Sequence, residues 1–143
     1  MVWLNDIWGY FLDEKDIEEA YLDYYTNRLF FFNENQDMQD MLKITRVFTR
    51  AGLLREYIKD SNDRVLKKII QKMNLLSDFE LLDYYHKNFS PWYDPENYYS
   101  QWVVYAKKKI IDYAEEWCNS NGIKCTRKQT NQFETYSFLI AYS

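Results

Sequence analysis

The sequence feature that most restricts the possible folds of this chain of 143 residues is a stripe of apolar residues near its C-terminal end. Its members recur every three or four residues, which is the spacing of one face of an α-helix with 3.6 residues per turn. They are Tyr99, Trp102, Val103, Ala106, Ile110, Tyr113, Ala114 and Trp117. Asp94 and Pro95 match an N-cap followed by a first-turn proline, and Asn121 with Gly122 stops the pattern. We therefore predict one long amphipathic helix between these signals.

An earlier segment, which follows Asp13, has a shorter helical pattern. Asp13 is a candidate N-cap for it. The residues that share one face after this cap are Ile17, Tyr21, Tyr24 and Arg28. This spacing predicts an amphipathic helix. The apolar run at 29–32 either extends that helix or forms a short strand, because periodicity does not decide so brief a run.

Three more helices are predicted in the middle of the chain. Apolar residues have helical spacing over 36–59, where Gly52 is either tolerated or divides the segment in two. A second helix follows the turn at 60–63. Ser77 and Glu80 have the spacing of a capping box, in which the hydroxyl and the carboxylate each satisfy an unpaired backbone N–H. A third helix should therefore begin directly after Ser77.

Beyond the long helix the pattern changes from helices to strands. Residues 123–129 and 133–142 are predicted to form two strands joined by a short turn. The predicted fold class is α+β, predominantly α, with a compact helical body of four to five helices followed by a C-terminal antiparallel β-hairpin. The length suits one domain, and no linker or internal repeat interrupts the chain. Residues 1–143 are therefore predicted to form a single domain.

Composition argues against several kinds of active centre. The chain has one His and two Cys, which leaves no ligand set for a structural zinc site. Its three glycines are too widely spaced for a phosphate-binding loop, and no hydrolase or metalloprotease motif occurs. We expect no metal, no cofactor and no enzymatic activity. Cys118 and Cys125 could meet after the long helix, but in a reducing compartment such cysteines are more often buried thiols than a disulfide.

The termini and the hydropathy predict a cytoplasmic protein. No basic leader precedes an apolar stretch, and no apolar run approaches the about 18 to 20 residues that cross a bilayer, so we expect no membrane partner. Ile, Lys, Asn and Tyr together supply 47 of the 143 residues. Such a bias is expected of AT-rich coding DNA. The predicted source is a low-GC bacterium, or a phage or other mobile element of one.

Charge is unevenly distributed along the chain. Residues 1–40 have 2 basic and 10 acidic side chains, whereas residues 41–72 have 9 basic and 3 acidic ones. On the predicted first helix, Asp16, Glu19 and Asp23 would share the face away from the aromatic stripe. Such a face repels nucleic acid and complements the basic surface of a partner protein. The plainer interpretation is a solvated face, or one that pairs with the basic helices of the same chain.

The basic segment favours a different kind of partner. Lys43, Arg46 and Arg50 would share one face of a helix, and a face of the next helix would be shared by Arg64, Lys67, Lys68 and Lys72. The candidate contacts to the phosphates of a nucleic acid are Lys43, Arg46, Arg50, Arg64 and Lys68. The pattern is generic, because a helix at a protein surface carries charge on its outer face.

The segment around the only histidine combines aromatic and acidic residues. Trp92 and Tyr93, next to prolines, are candidate anchors for a partner protein, or they simply cover the core. An enzymatic interpretation would use His86 as a general base, with Asp83 or Asp94 orienting it. No activated nucleophile or carboxylate pair can be assigned beside the histidine, so a structural role is favoured.

Together these patterns predict a small non-enzymatic interaction protein, encoded by a phage or another mobile element. It would bind a larger host protein, and inhibition of a host protein that itself binds nucleic acid is one form of this function. The alternative is a nucleic-acid-binding regulator that uses the basic helices of residues 41–72. The oligomeric state is left open by the sequence.

Overall fold

The structure is a computed structural model that describes residues 1–32, 37–89 and 98–127. Over these ranges the elements are β1 (Val2–Trp3), α1 (Leu4–Ile7), a 3-10 helix (Trp8–Phe11), β2 (Ala20–Asp23), β3 (Leu29–Phe31), β4 (Met41–Lys43), α2 (Arg50–Asp60), α3 (Arg64–Met73), α4 (Asp78–Asn88), α5 (Tyr98–Ser120) and β5 (Cys125–Thr126). Helical residues outnumber strand residues, so the chain is α+β and mostly α, as predicted.

Packing divides the described residues into two compact units. Among the described residues, the first unit contains 1–32, 37–48 and 109–127, and the second contains 49–89 and 98–108. In these ranges the first unit has twelve acidic and seven basic side chains, for a net charge of −5. In its described residues the second has six acidic and ten basic side chains, and the segment 90–97 of the sequence contains two more acidic ones. A single domain over residues 1–143 remains a prediction.

The first unit contains a three-stranded antiparallel sheet in the order β3-β2-β4. Along β2, Ala20 and Leu22 are buried, and the residues that alternate with them are half-buried. Leu22 pairs with Leu29 on one side and with Leu42 on the other. This alternation with a period of two residues is typical of a strand that lays one face on a core.

The predicted first helix is wrong, because its residues enter this sheet. The carboxylate of Asp23 accepts hydrogen bonds from the backbone N–H groups of Tyr25 and Thr26, at 2.7 and 3.0 Å, and Asn27 has a φ of +57°. An Asx turn followed by a left-handed residue reverses the chain and is incompatible with a continuing helix. A hairpin therefore joins β2 to β3, and the run at 29–32 follows its strand alternative.

The helix predicted over 36–59 is correct only in its second half. Met41–Lys43 forms an edge strand of the described sheet, and the helix begins at Arg50. The hydroxyl oxygen of Thr49 caps it by accepting a hydrogen bond from the N–H of Gly52 at 3.0 Å. Gly52 is tolerated inside the helix, and a Cβ at this position would lie 2.7 Å from that hydroxyl oxygen. A glycine therefore lets the cap approach closely.

The second unit contains α2, α3, α4 and the first part of α5, and α2 packs against both α3 and α4. The predicted capping box is confirmed at the start of α4. The Ser77 hydroxyl accepts from the N–H of Glu80 at 3.2 Å, and the Glu80 carboxylate accepts from the N–H of Ser77 at 3.1 Å. Asp63 caps α3 by accepting from the N–H groups of Val65 and Leu66, at 2.8 and 3.3 Å.

The predicted long helix is confirmed as α5. Its apolar stripe is buried at every position except Tyr113, which is half-buried. Gly122 follows the helix with a φ of +70°, a conformation that ends helices and favours glycine. The predicted cap at Asp94 and Pro95 lies outside the described residues.

The predicted C-terminal hairpin lies mostly beyond the described residues. Cys125–Thr126 forms β5, which pairs in parallel with β1. The second predicted strand, 133–142, is outside the described ranges, so the hairpin stays a prediction. Cys118 and Cys125 are free thiols. Burial, together with the neighbouring Cys125 thiol, raises the pKa of Cys118 to about 12, so Cys118 stays protonated at neutral pH.

Candidate functional site

The outer face of α3 carries four exposed basic side chains, which we call the basic face: Arg64, Lys67, Lys68 and Lys72. Arg64, Lys67 and Lys68 form no ion pair with any residue in 1–32, 37–89 or 98–127. A helical rise of 1.5 Å per residue spaces Arg64, Lys68 and Lys72 about 6 Å apart along the axis. A row of cations without neutralising partners is complementary to a polyanion.

The sequence of α3 leaves these charges no other position. Leu66, Ile69 and Met73 are buried, so the polar side chains must occupy the opposite side of the helix. The helix has no acidic residue of its own, and the acid that precedes it is already occupied. Besides capping the first turn, the carboxylate of Asp63 accepts a hydrogen bond from the hydroxyl of Tyr98 at 3.0 Å. The basic face therefore stays exposed.

An open groove of about 540 Å³ runs between α3 and α4. It is lined by Val65, Lys68, Ile69, Gln71, Lys72, Tyr84, Asn88 and Phe89. Lys68 and Lys72 belong both to the basic face and to this groove. The Nζ atom of Lys72 lies 5.2 Å from the centroid of the Tyr84 ring, which is a cation–π contact. The groove thus combines cations, aromatic rings and amide groups.

Arg55 of α2 holds the turn between the two groove helices. Its guanidinium donates to the carbonyl oxygens of Met73 and Leu76, both at 2.9 Å, and to the carboxylate of Asp78 at 3.1 Å. Met73 ends α3 and Asp78 begins α4, so one planar cation binds both ends of the turn. This contact fixes the separation of the groove walls at that end.

Phe89 connects the groove to a cluster of aromatic rings in the second unit. Its ring centroid lies 4.7 Å from that of Tyr85 and 5.1 Å from that of Tyr98. The Tyr85 ring in turn lies 6.0 Å from the ring of Trp102. Packed rings of this kind have little rotamer freedom, so the groove is bounded by a firm apolar surface at Phe89.

The five residues predicted to contact nucleic acid differ in their burial and in their partners. Lys43 lies in β4, where its Nζ is 3.3 Å from a carboxylate oxygen of Glu19. Arg46 is largely buried and donates through Nε to the carbonyl oxygen of Leu12 at 3.2 Å. Arg50 is fully buried. The helical face predicted for these three is therefore wrong, and only the two candidates on α3 are exposed without an ion pair among the described residues.

The acidic residues predicted as a helical face are also separated. Asp16 is exposed in the turn before β2, Glu19 pairs with Lys43, and Asp23 closes the hairpin turn. The backbone N–H groups of Thr26 and then Tyr25 hold the pKa of Asp23 below its usual range. The internal-pairing alternative therefore applies to Glu19. A contact of the three residues with a partner protein stays a prediction.

The turn between β2 and β3, residues 24–27, is here called the hairpin tip. It presents Tyr24 and Tyr25 with exposed fractions of 50% and 81%. Hydrogen bonds from the N–H groups of Tyr25 and Thr26 to the Asp23 carboxylate hold the backbone of the turn in place. The helical pattern had assigned Tyr24 to a packed stripe instead. The predicted anchors Trp92 and Tyr93 lie outside the described residues, so that assignment stays a prediction.

His86 has partners that explain its position in the second unit. Its Nε2 atom lies 3.0 Å from the hydroxyl oxygen of Tyr99, and the two ring centroids are 4.9 Å apart. Burial lowers the pKa of His86 against the opposing effect of Asp83, which favours a neutral ring. The carboxylate of Asp83 is itself paired with Lys87 at 2.9 Å. The structural role of His86 stays a prediction.

The sequence patterns did not indicate the groove. Tyr84 and Phe89 attracted no separate interpretation, and Arg55 was not recognised as a clamp. The only available signal was the aromatic run at Tyr84-Tyr85, which lies next to the histidine. A groove between two helices depends on their packing, which neither helix encodes alone.

The described residues were also compared with what a metal site and a membrane-spanning helix require. The described ranges contain no group of three or more His, Cys, Asp or Glu side chains placed to hold a metal ion. No helix in them has the length and apolar character needed to cross a bilayer. Comparison with models of known protein families, with curated proteins and with solved structures finds no significant match.

Proposed function

We propose that this chain is a non-enzymatic binding protein for nucleic acid, with α3 as the element that contacts phosphates. One observation carries the proposal: Arg64, Lys67 and Lys68 are exposed and lack an ion pair among the described residues. Contacts of Lys and Arg with phosphates supply most of the non-specific affinity of proteins for nucleic acids.

The proposal makes binding strongly dependent on salt. Each neutralised phosphate releases bound counterions, so the logarithm of the binding constant falls by about 0.7 to 0.9 per contact for each unit of log salt. Three or four contacts from the basic face correspond to a slope of about −2 to −4. A slope near zero would show that α3 does not contact phosphates.

The direct test reverses two charges of the basic face. The double variant Arg64→Glu with Lys68→Glu should bind a labelled oligonucleotide about tenfold more weakly or worse at low salt, because two attractive contacts become repulsive. Fluorescence anisotropy measures the affinity. The matched control, Lys15→Glu with Lys124→Glu, makes the same change in net charge at two exposed lysines of the first unit. Equal losses in both variants, or no binding by the unaltered protein, would contradict the proposal.

A second candidate function, binding of a larger host protein, is favoured by the hairpin tip. Tyrosines that are held rigidly and exposed serve as anchors at protein interfaces, since they cover a large area at little entropic cost. A tagged protein should recover a stoichiometric partner from an extract of a low-GC host. The double variant Tyr24→Ser with Tyr25→Ser should lose it. Recovery of no such partner by the unaltered protein would count against this candidate.

A further inference from the structure

The groove between α3 and α4 adds a second kind of contact to the basic face. Lys68 and Lys72 line it from one side, and Tyr84 and Phe89 line it from the other. Phosphates need only the cations. The aromatic rings add nothing to the binding of a bare phosphate chain, but they suit a nucleobase, which has an aromatic face on which to stack.

We infer that this groove receives an unpaired base, and that the chain prefers single-stranded to double-stranded nucleic acid. The inference rests on the proposed function and names its ligand class. In a duplex the bases are stacked inside the helix and show only their edges, so they cannot stack on a protein ring. A single strand can place phosphates along the basic face and turn a base into the groove.

The groove has room for a base. Its volume of about 540 Å³ lies within the range of about 300 to 1,000 Å³ that is usual for small-molecule sites. The groove is also firm on two sides, because Arg55 clamps the turn and Phe89 packs against the rings of Tyr85 and Tyr98. A preformed cleft loses little conformational freedom when it is filled.

Lys72 connects the two kinds of contact. Its Nζ atom now lies 5.2 Å from the centroid of the Tyr84 ring. A cation–π contact at an exposed site is weak and is readily exchanged for a stronger charge-assisted contact with a phosphate. In the bound state Lys72 contacts phosphate, and the ring face of Tyr84 that it leaves is taken by the base.

The test compares a labelled single strand with a duplex of the same length. The unaltered protein should bind the single strand more tightly. Replacement of Tyr84 by Leu, which keeps apolar packing but removes the ring, should weaken single-strand binding about fivefold to a hundredfold and leave duplex binding unchanged. Tyr84→Phe should retain the preference, since it keeps the ring. Tyr25→Leu is the matched control at an exposed tyrosine of the first unit, and thermal unfolding confirms that each variant is folded.

The outcomes separate this inference from the function on which it rests. Equal affinity for the single strand and the duplex, with no effect of Tyr84→Leu, would overturn the base-binding groove and leave phosphate binding by α3 intact. Binding of neither nucleic acid, or binding of polyglutamate instead, would overturn both. Loss of single-strand preference in Tyr84→Phe as well as in Tyr84→Leu would show that the ring does not act by stacking.

Discussion

Lys43 and Arg46, in the first compact unit, meet a carboxylate or a backbone carbonyl, whereas Arg64 and Lys68, in the second, meet no acidic partner in the described part of the chain. All four are basic residues from one short stretch of sequence. The difference comes from the acceptor groups that lie close to each basic side chain. Among the described residues, the first unit has more acidic than basic side chains, and the second has more basic than acidic ones.

This contrast separates cations that hold the fold together from cations that remain available to a ligand. A charged side chain that is largely buried needs hydrogen-bond partners, so its removal lowers the free energy of unfolding. An exposed cation without a partner adds little to stability, so the proposed binding role of the basic face can be tested with little effect on the fold. Variants that change either stability or binding, and leave the other property unchanged, test this contrast.

The largest expected effect on stability is at Arg46. Arg46→Ala should lower the free energy of unfolding by about 2 to 3 kcal/mol, because its guanidinium donates to the carbonyl oxygens of both Leu12 and Glu14. Chemical denaturation measures this change. Lys43→Ala is the matched control, since its pair with Glu19 is exposed and should contribute about 0 to 1 kcal/mol. Equal losses would contradict the distinction between the two.

A smaller effect of opposite signs is expected at the two ends of α3. A cation is unfavourable near a helix N-terminus and favourable near its C-terminus. Arg64→Glu should therefore raise the free energy of unfolding by about 0.3 to 1 kcal/mol, and Lys72→Glu should lower it by about as much. Both should weaken binding of nucleic acid. If binding instead followed stability, α3 would be a structural element and the comparison would fail.

The smallest expected effect is the pH dependence of stability that comes from Asp23 at the hairpin tip. The pKa of Asp23 is lowered in the folded state, so its hydrogen bonds stabilise the turn above the usual pKa range of aspartate. This stabilisation is lost as the pH falls through the lowered pKa. An NMR titration of the Asp23 carboxyl should show a midpoint below that of the same residue in a short unfolded peptide. A midpoint equal to that of the peptide would show that the turn is not held by Asp23.

Much of the helical structure follows from local sequence signals. The capping box at Ser77, the buried stripe of α5 and the stop at Gly122 depend on contacts between residues a few positions apart. Such signals are readable without knowledge of the fold. The alternation of Ala20 and Leu22 was also present in the sequence, but it was outweighed by a helical spacing of aromatic residues that supports no helix there.

The order and spacing of residue types along the chain specify the number of charges, the helices of the second unit and the amphipathic character of α3. The packing of the elements determines which cations lack an ion pair among the described residues and where an aromatic groove opens. Arg46 donates to the carbonyl oxygen of Leu12, 34 positions away, and Arg55 donates to that of Leu76, 21 positions away. Contacts across such distances depend on how separate elements pack, which local spacing does not specify.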